Sequence, residues 1–283
     1  MYNKKKPNFR KGRRLRVIAC IQARMGSTRL KGKVLRKILG RTVIRHIFTR
    51  LEVAREIDDI ILSTSSRKEN DVLVEEAKDI GLKYYRYRGD ENDIVARLYW
   101  TAKKFKADAV VHVNADCPLV DPGLLDKMVR LYRRRYKELD FVTNNLHPTF
   151  PHGLDAEIFS FATLKESFNG LKKGDIHREW LTPYVMQNPK KFRTYSFKNP
   201  INLSSLRWTL DYPEDLKLIR AIYAELYKEN NVFTISDILN LLKQKPRLLK
   251  INAKRIDRVI RNGIRSKAYF SLIKKINKSY KVK

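Results

Sequence analysis

The sequence has little of what marks secreted or membrane proteins. Its 283 residues include only two cysteines, Cys20 and Cys117, which excludes the disulfide framework of a small secreted domain. No apolar run approaches the roughly 18 residues of a membrane-spanning helix. The basic N-terminal segment also lacks the apolar stretch of a secretory signal. We therefore expect reduced thiols and a cytoplasmic location.

Acidic residues are scarce relative to basic ones, and the formal net charge is +31. Residues 1–16 hold eight basic and no acidic side chains, and residues 250–283 hold twelve basic side chains and one acidic side chain. Apolar residues recur at partly helical spacing in the C-terminal segment. We expect a basic, disordered leader at residues 1–15, one folded domain at 16–250 and a basic helical tail at 251–283.

The basic ends admit several interpretations. Solvated ends, or a tail packed on the folded domain, need no ligand. A basic amphipathic helix would also suit an anionic membrane or an acidic partner. Nucleic-acid binding is less consistent with the sequence, because aromatic residues are not interleaved with the basic clusters as a base-stacking surface requires.

Strand and helix patterns alternate over the first half of the chain. Strands are predicted at residues 15–21, 59–62, 82–85, 109–113 and 140–143, and helices at 42–57, 70–80, 93–105 and 122–136. This order predicts an α/β fold with a doubly wound, mainly parallel sheet. Such sheets bind ligands at the carboxyl ends of their strands.

The pattern is less regular after residue 150. Strands are predicted at residues 155–159, 193–197 and 206–210, and helices at 176–186, 213–227 and 234–242. Asp211 directly follows the predicted strand 206–210.

A basic, glycine-containing segment, residues 22–33, follows the first predicted strand. It carries four cations, Arg24, Arg29, Lys31 and Lys33, among small residues that allow close backbone approach. Charge-assisted hydrogen bonds from such cations neutralise the phosphates of a nucleoside triphosphate. The segment is not a Walker A loop, since G-x-x-x-x-G-K-[ST] is absent. A solvated basic turn is the alternative.

Two aspartates, Asp116 and Asp211, follow predicted strands. A carboxylate in this position can hold Mg²⁺ against triphosphate oxygens, and the two could share one metal. Each could instead cap a helix or close a turn. Asp121, directly before Pro122, is better explained as a helix N-cap.

Three segments, QARMGSTRLKGKVL, NADCPLVDP and LRWTLDYPEDL, occur in this order. Together they resemble the cytidylyltransferases that make CMP-sugars, in particular the spore-coat polysaccharide or CMP-ketodeoxyoctonate synthetase-like branch. The resemblance spans residues 16–226. It implies the nucleotide-diphospho-sugar transferase fold, CTP as co-substrate, Mg²⁺ as cofactor, a keto-deoxy sugar acid as acceptor, homodimers and a role in surface polysaccharide or glycan synthesis.

The resemblance also implies site residues. Arg24, Lys33, Asp116 and Asp211 would be catalytic, and the two aspartates would bind the metal. CTP would contact Ala23, Arg24, Gly26, Ser27, Arg29, Lys33, Thr64, Arg97 and Asn114. The acceptor would contact Glu157, Arg178 and Glu179. The chain departs from the family at Lys31, where proline is frequent, and at REWLTPY, where the family often has REHVTPY.

A glycosyltransferase that consumes a nucleotide-sugar is the alternative enzyme class. Such enzymes normally carry a D-x-D metal motif after a strand. Here the strand is followed by Asn114-Ala115-Asp116, with only one aspartate. The sequence therefore favours the cytidylyltransferase.

Overall fold

The computed structural model describes residues 14–229 and 231–255. Residues 1–13 of the predicted leader, and the predicted helical tail from residue 256, lie outside the described residues. Within the described part, no helix is both long enough and apolar enough to cross a membrane. Cys20 and Cys117 are buried and free.

A seven-stranded sheet forms the centre of the molecule. In chain order the strands are β1 (Val17–Gln22), β2 (Lys37–Ile38), β3 (Arg41–Thr42), β4 (Asp59–Ser65), β5 (Lys83–Tyr87), β6 (Ala109–Asn114), β7 (Phe141–Thr143), β8 (Glu157–Ser160) and β9 (Thr194–Ser196). The large sheet has the order β5-β4-β1-β6-β8-β7-β9, and β2 pairs with β3 in a separate hairpin. All pairs in the large sheet are parallel except those that β8 makes with β6 and β7. The predicted mainly parallel α/β fold is confirmed.

Helices cover both faces of the sheet. They are α1 (Val43–Glu52), α2 (Asp71–Asp79), α3 (Ile94–Lys104), α4 (Pro122–Arg135), α5 (Phe161–Gly170), α6 (Leu181–Gln187), α7 (Pro213–Leu226) and α8 (Ile235–Gln244). One core lies between the sheet and α1, α2, α4, α7 and α8, and the other lies between the sheet and α3, α5 and α6. Alternate residues of β1 enter the two cores, as the two-residue period of a strand requires.

Helix ends follow the local sequence signals. The Asp121 side chain accepts a hydrogen bond from the backbone N–H of Leu124 at the start of α4, which confirms the predicted N-cap. Asp93 does the same for Ala96 at the start of α3. Both carboxylates satisfy backbone donors that a helix leaves unpaired in its first turn.

The predicted strand 206–210 is wrong. Its backbone is extended but lies outside the sheet, and it pairs with the chain around His152 through one isolated bridge to Arg207. The N–H of Trp208 donates to the carbonyl of His152 at 2.7 Å, and the N–H of Leu210 donates to the carbonyl of Asp116 at 2.8 Å. Both partners lie in loops, so the backbone groups of this apolar run form hydrogen bonds although the run does not join the sheet.

The predicted helix 176–186 is interrupted. A short 3-10 turn, Ile176–Arg178, is followed by α6 after two further residues. Pro183 accounts for the break, because its ring would clash with the carbonyl of residue 179 in a continuous α-helix and is tolerated only in a first turn. The prediction also missed α5, whose signal is Ser160 at the N-cap, accepting from the N–H of Thr163.

Candidate active site

A cavity of about 560 Å³ opens at the carboxyl ends of β1 and β6. It brings together most of the residues predicted to contact CTP or the acceptor. These are Ala23, Arg24, Gly26, Ser27, Arg29, Lys33, Arg97, Asn114, Asp116, Glu157 and Glu179. A second cavity, of about 580 Å³, lies beside α1 and the start of β4 and contains none of the predicted site residues.

The two predicted metal ligands meet at one lysine. The Nζ atom of Lys33 donates to Oδ2 of Asp116 at 2.6 Å and to Oδ1 of Asp211 at 2.9 Å. Arg29 Nη2 also donates to Oδ1 of Asp211, at 2.9 Å. Asp211 does not line the cavity itself, but it contacts two residues that do. One cation thus already lies between carboxylates that are distant in sequence.

The spacing of Asp116 and Asp211 shows whether a divalent metal ion fits between them. Hard cations such as Mg²⁺ bind carboxylate oxygens and usually complete their shell with substrate phosphates and water. Asp116 and Asp211 are close enough to share one cation, as Lys33 demonstrates. No group of three or more His, Cys, Asp or Glu side chains suited to a metal occurs among the described residues. The protein therefore fits a metal that takes its remaining ligands from a bound nucleotide.

The second carboxylate oxygen of Asp211 contacts Arg207, which forms a buried ion pair with Asp215. Arg207 donates to Oδ2 of Asp211 at 3.2 Å and to both oxygens of Asp215, at 2.9 and 3.0 Å. Asp215 is fully buried and also accepts from Asn252. Burial alone would raise the pKa of Asp211, but Lys33, Arg29 and Arg207 outweigh it and lower that pKa. Asp211 is therefore held ionised.

Lys33 is held charged by the same carboxylates. Burial would lower the pKa of its ammonium group, but Asp116 and Asp211 outweigh this effect and raise it. The short 3-10 turn Lys33–Leu35 begins after Gly32, whose φ of 59° lies in the left-handed region. Glycine at this position lets the chain reverse so that Lys33 lies over the aspartates.

The loop after β1 is anchored by buried polar groups. Arg97, on α3, donates to the carbonyl oxygens of Ala23, Ser63 and Glu91. The Asn70 side chain accepts from the N–H of Met25 at 2.8 Å. These bonds place the loop so that Arg24 and Arg29, both partly exposed, can reach an anion in the cavity.

Two predictions need correction. Thr64 is fully buried and does not line the cavity, because the side chains of β4 alternate and this one faces away. Arg178 is also buried outside the cavity lining. Its guanidinium donates to Asp93 Oδ2 at 2.7 Å and to the carbonyls of Phe168 and Leu171. It is a structural residue that fixes the start of α3.

Arg97 lines the cavity as predicted, but its surroundings indicate another task. It is only 2% exposed, and three backbone carbonyls occupy its guanidinium. Burial lowers its pKa to about 10, against the opposing effects of Cys20 and Glu91. We therefore interpret Arg97 as the residue that positions the loop after β1.

Acidic and neutral polar side chains line the far end of the cavity, near β8 and α6. Glu157 contacts His112 Nδ1 at 2.9 Å through Oε2 and accepts from the Thr182 hydroxyl through Oε1. Asp155 lies nearby, and burial, reinforced by Glu157 and Asp116 against the opposing charge of His152, raises its pKa. These groups can accept hydrogen bonds from the hydroxyls of a sugar.

Sequence reasoning missed several lining residues. Gln22, Glu91, His112, Asn145 and Asp155 line the cavity without having been assigned to a site, and His152 lines it as well. Gln22 ends β1, and Asp155 alternates with Glu157 on the approach to β8, so strand-end position was an available signal. Glu91 and Asn145 lie in loops whose course no periodicity predicts.

Comparison with known proteins supports the family resemblance that the sequence motifs indicate. Residues 18–251 match the sequence profile of the family described as Cytidylyltransferase. An uncharacterised protein of Methanocaldococcus jannaschii is 31% identical over 243 residues, which cover 84% of this chain and 95% of that protein. The spore coat polysaccharide biosynthesis protein SpsF of Bacillus subtilis is 27% identical over 81% of this chain and 95% of its own length.

A solved structure shows the same fold. The structure of a cytidylyltransferase from Leptospira borgpetersenii serovar Hardjo-bovis superposes with a TM-score of 0.77 at 30% sequence identity. The match covers 83% of this chain and 97% of that one. The family profile itself spans residues 18–251, which include every residue that lines the cavity.

Proposed function

This chain belongs to the cytidylyltransferase family, and from that premise we propose that it transfers CMP from CTP to a sugar hydroxyl and releases pyrophosphate. The observation that carries the proposal is the meeting of Lys33 with Asp116 and Asp211 at the mouth of the cavity. Arg24, Arg29, Lys33 and Asp116 line a space that a triphosphate and its metal can enter, and Asp211 contacts two of these residues.

Charge neutralisation by the loop after β1 supports this reaction. Attack of a hydroxyl on the α-phosphorus develops negative charge on the phosphoryl oxygens and on the pyrophosphate leaving group. Arg24, Arg29 and Lys33 supply charge-assisted hydrogen bonds to these oxygens. Arg97 and Asn70 fix the loop in advance, so little reorganisation is needed when CTP binds.

Asp116 and Asp211 would hold Mg²⁺. When bound, the metal supplies Lewis acidity to the phosphoryl oxygens and orients the triphosphate. Lys33 lies between the two carboxylates and is long enough to turn toward the phosphates.

The acceptor would occupy the end of the cavity near β8. Glu157 and Glu179 line that end and can accept hydrogen bonds from sugar hydroxyls, which fixes the attacking group. We propose a keto-deoxy sugar acid as the acceptor, on the resemblance to the CMP-ketodeoxyoctonate synthetase-like branch. Similarity to the spore coat polysaccharide protein SpsF supports a role in surface polysaccharide or glycan synthesis.

Location and assembly belong to the same proposal. The two free cysteines suit a reducing cytoplasm. A homodimer, which the resemblance implies, can be measured by light scattering coupled to size-exclusion chromatography.

The test is a turnover screen. Purified protein with MgCl₂ is given CTP, UTP, ATP or GTP together with a panel of sugar acids and neutral sugars. Pyrophosphate release and mass detection of the product are followed. We expect CTP-dependent release and a CMP-sugar product. Transfer of a sugar from a supplied nucleotide-sugar, without pyrophosphate release, would contradict the proposal and favour a glycosyltransferase.

A further inference from the structure

The ammonium group of Lys33 stands where a divalent cation would have to bind. It is within hydrogen-bond distance of one oxygen of each aspartate, at 2.6 and 2.9 Å. The Lys33 side chain is 13% exposed, and that of Asp211 is 9% exposed. Water therefore screens the contact with Asp211 only weakly.

The charges around this group are balanced. Asp116, Asp211 and Asp215 carry three negative charges. Lys33, Arg29 and Arg207 carry three positive charges within hydrogen-bond distance of those carboxylates. A bare divalent cation would thus meet hydrogen-bonded charges that already balance one another, with the carboxyl of Asp155 nearby. It would also have to displace an ammonium group already bonded to both of its ligands.

We propose that Lys33 is an internal counter-ion that keeps divalent cations out of the active site until a nucleotide arrives. The inference rests on the proposed function, which identifies Asp116 and Asp211 as the metal site. The phosphates of CTP bring negative charge that offers Lys33 a new partner and leaves the two carboxylates free for the cation. Metal and nucleotide consequently enter together, and the empty enzyme does not retain free metal.

The same contact gives Lys33 a second task in the free protein. Two carboxylates facing one space repel each other, and without a cation they would separate or take up a proton. The ammonium group holds them at the spacing of a shared cation. Lys33 therefore preserves the geometry of the metal site before the metal is present.

The experiment measures metal binding without turnover. Mn²⁺ alone is titrated into nucleotide-free full-length protein, and free Mn²⁺ is followed by electron paramagnetic resonance. Wild type should show no saturable binding below about 1 mM, the weak end of protein oxygen sites for divalent cations. Lys33→Met should bind Mn²⁺ about ten- to hundredfold more tightly than wild type, the equivalent of one charge-assisted hydrogen bond.

Two control variants isolate the cause. Lys31→Met removes the same charge from an exposed side chain two residues away and should bind like wild type. Lys33→Arg keeps the charge and should also bind like wild type. Thermal unfolding with and without Mn²⁺ reports both folding and binding, since a ligand of the native state raises the melting temperature.

Three results would overturn the proposal. They are tight Mn²⁺ binding by nucleotide-free wild type, a Lys33→Met affinity no greater than that of Lys31→Met, and equal tightening in Lys33→Arg. Tight Mn²⁺ binding by nucleotide-free wild type overturns the proposal even if Lys33→Met does not fold. Because no turnover is measured, a negative turnover screen would count against the proposed function and not against this inference.

Discussion

Asp116 and Asp211 receive hydrogen bonds from the same ammonium group, yet their surroundings differ. The Asp116 side chain is 26% exposed, whereas that of Asp211 is 9% exposed and also contacts Arg29 and Arg207. Replacement of Asp211 removes one of the carboxylate partners of the buried Arg207, which keeps Asp215, and the carboxylate partner of the partly exposed Arg29. Replacement of Asp116 does neither. The two residues should therefore be alike in catalysis and different in stability.

Asp116→Asn and Asp211→Asn should each lower kcat/KM by at least about a hundredfold, since loss of a metal ligand removes several kcal/mol of transition-state stabilisation. Pyrophosphate release at limiting Mg²⁺ is the measurement. Asp79→Asn, on the exposed side of α2, is the matched control and should keep full activity. Full activity in either active-site variant would remove that residue from the metal site.

Acid stability should depend on Asp211. Its pKa is lowered in the folded protein, so its contribution to stability is present above the ordinary aspartate pKa of about 3.9 and is lost as the pH falls through the lower folded value. Asp211→Asn should be less stable than wild type near pH 6 and should approach it below pH 4. Denaturant unfolding of the ligand-free proteins at each pH measures this, and a constant difference between the two would contradict it.

At the scale of elements, the position of Asp211 depends on an extended segment packed against a loop. Gly153 has φ of +103°, and a Cβ atom there would lie 2.4 Å from the backbone N of Thr209 and 2.5 Å from the carbonyl carbon of Trp208. Only glycine allows this approach of two backbones. The segment from Leu206 to Leu210 leads directly into Asp211, so the approach bears on the site.

Gly153→Ala should lower the free energy of unfolding by about 3 kcal/mol and reduce turnover, because neither backbone can move away without displacing Asp211. Gly174→Ala is the control, with φ of +83° but no atom within 4 Å of the added Cβ. Its free energy of unfolding should fall only by the cost of the left-handed conformation, about 1–2 kcal/mol. Equal destabilisation of the two variants would show that the close approach is unimportant.

At the scale of the whole molecule, the catalytic part extends beyond the predicted boundary at residue 250. Asn252 is buried and donates to Asp215 Oδ1 at 2.9 Å and to the carbonyl of Arg207 at 3.0 Å. Arg255 pairs with Glu214 through two bonds of 3.0 Å, and its guanidinium lies over the ring of Tyr212. Residues 251–255 therefore support the segment that holds Asp211.

Two truncations separate this support from the basic tail. Removal of residues 256–283 should leave turnover of soluble substrates within about twofold of wild type, since every lining residue of the cavity lies upstream. Removal of residues 251–283 should lower the free energy of unfolding by about 1–3 kcal/mol, because the buried Asp215 loses a hydrogen bond. Turnover and thermal unfolding of both proteins are the measurements.

Vesicle binding should be measured with the same truncated proteins. Salt-sensitive binding to anionic vesicles that is lost with residues 256–283 would assign that segment to a membrane surface. If removal of residues 256–283 lowers the melting temperature and the full-length protein does not bind vesicles, residues 256–283 pack on the folded domain. Loss of turnover on removal of residues 256–283 would contradict the prediction that the catalytic part ends near Arg255.

The sequence by itself determined the alternation of strands and helices in the first half of the chain, the N-cap at Asp121 and the position of Asp116 after β6. These features depend on the period of apolar residues and on contacts within a few positions of the chain. The cationic segment after β1 and the family motifs were readable for the same reason. Most of the predicted contact residues accordingly line one cavity.

Only the tertiary structure decided which of these residues are free to bind. Arg178 and Arg97 have the same chemistry as Arg24, yet both are buried against partners from distant segments. Arg178 contacts the carboxylate of Asp93, and Arg97 contacts the carbonyl of Ala23. The extended segment before Asp211 was indistinguishable from a strand, because an apolar run does not specify its hydrogen-bond partners. The shared contact of Lys33 with Asp116 and Asp211 also spans segments far apart in the chain. Such contacts arise from the packing of whole elements, and no local pattern encodes them.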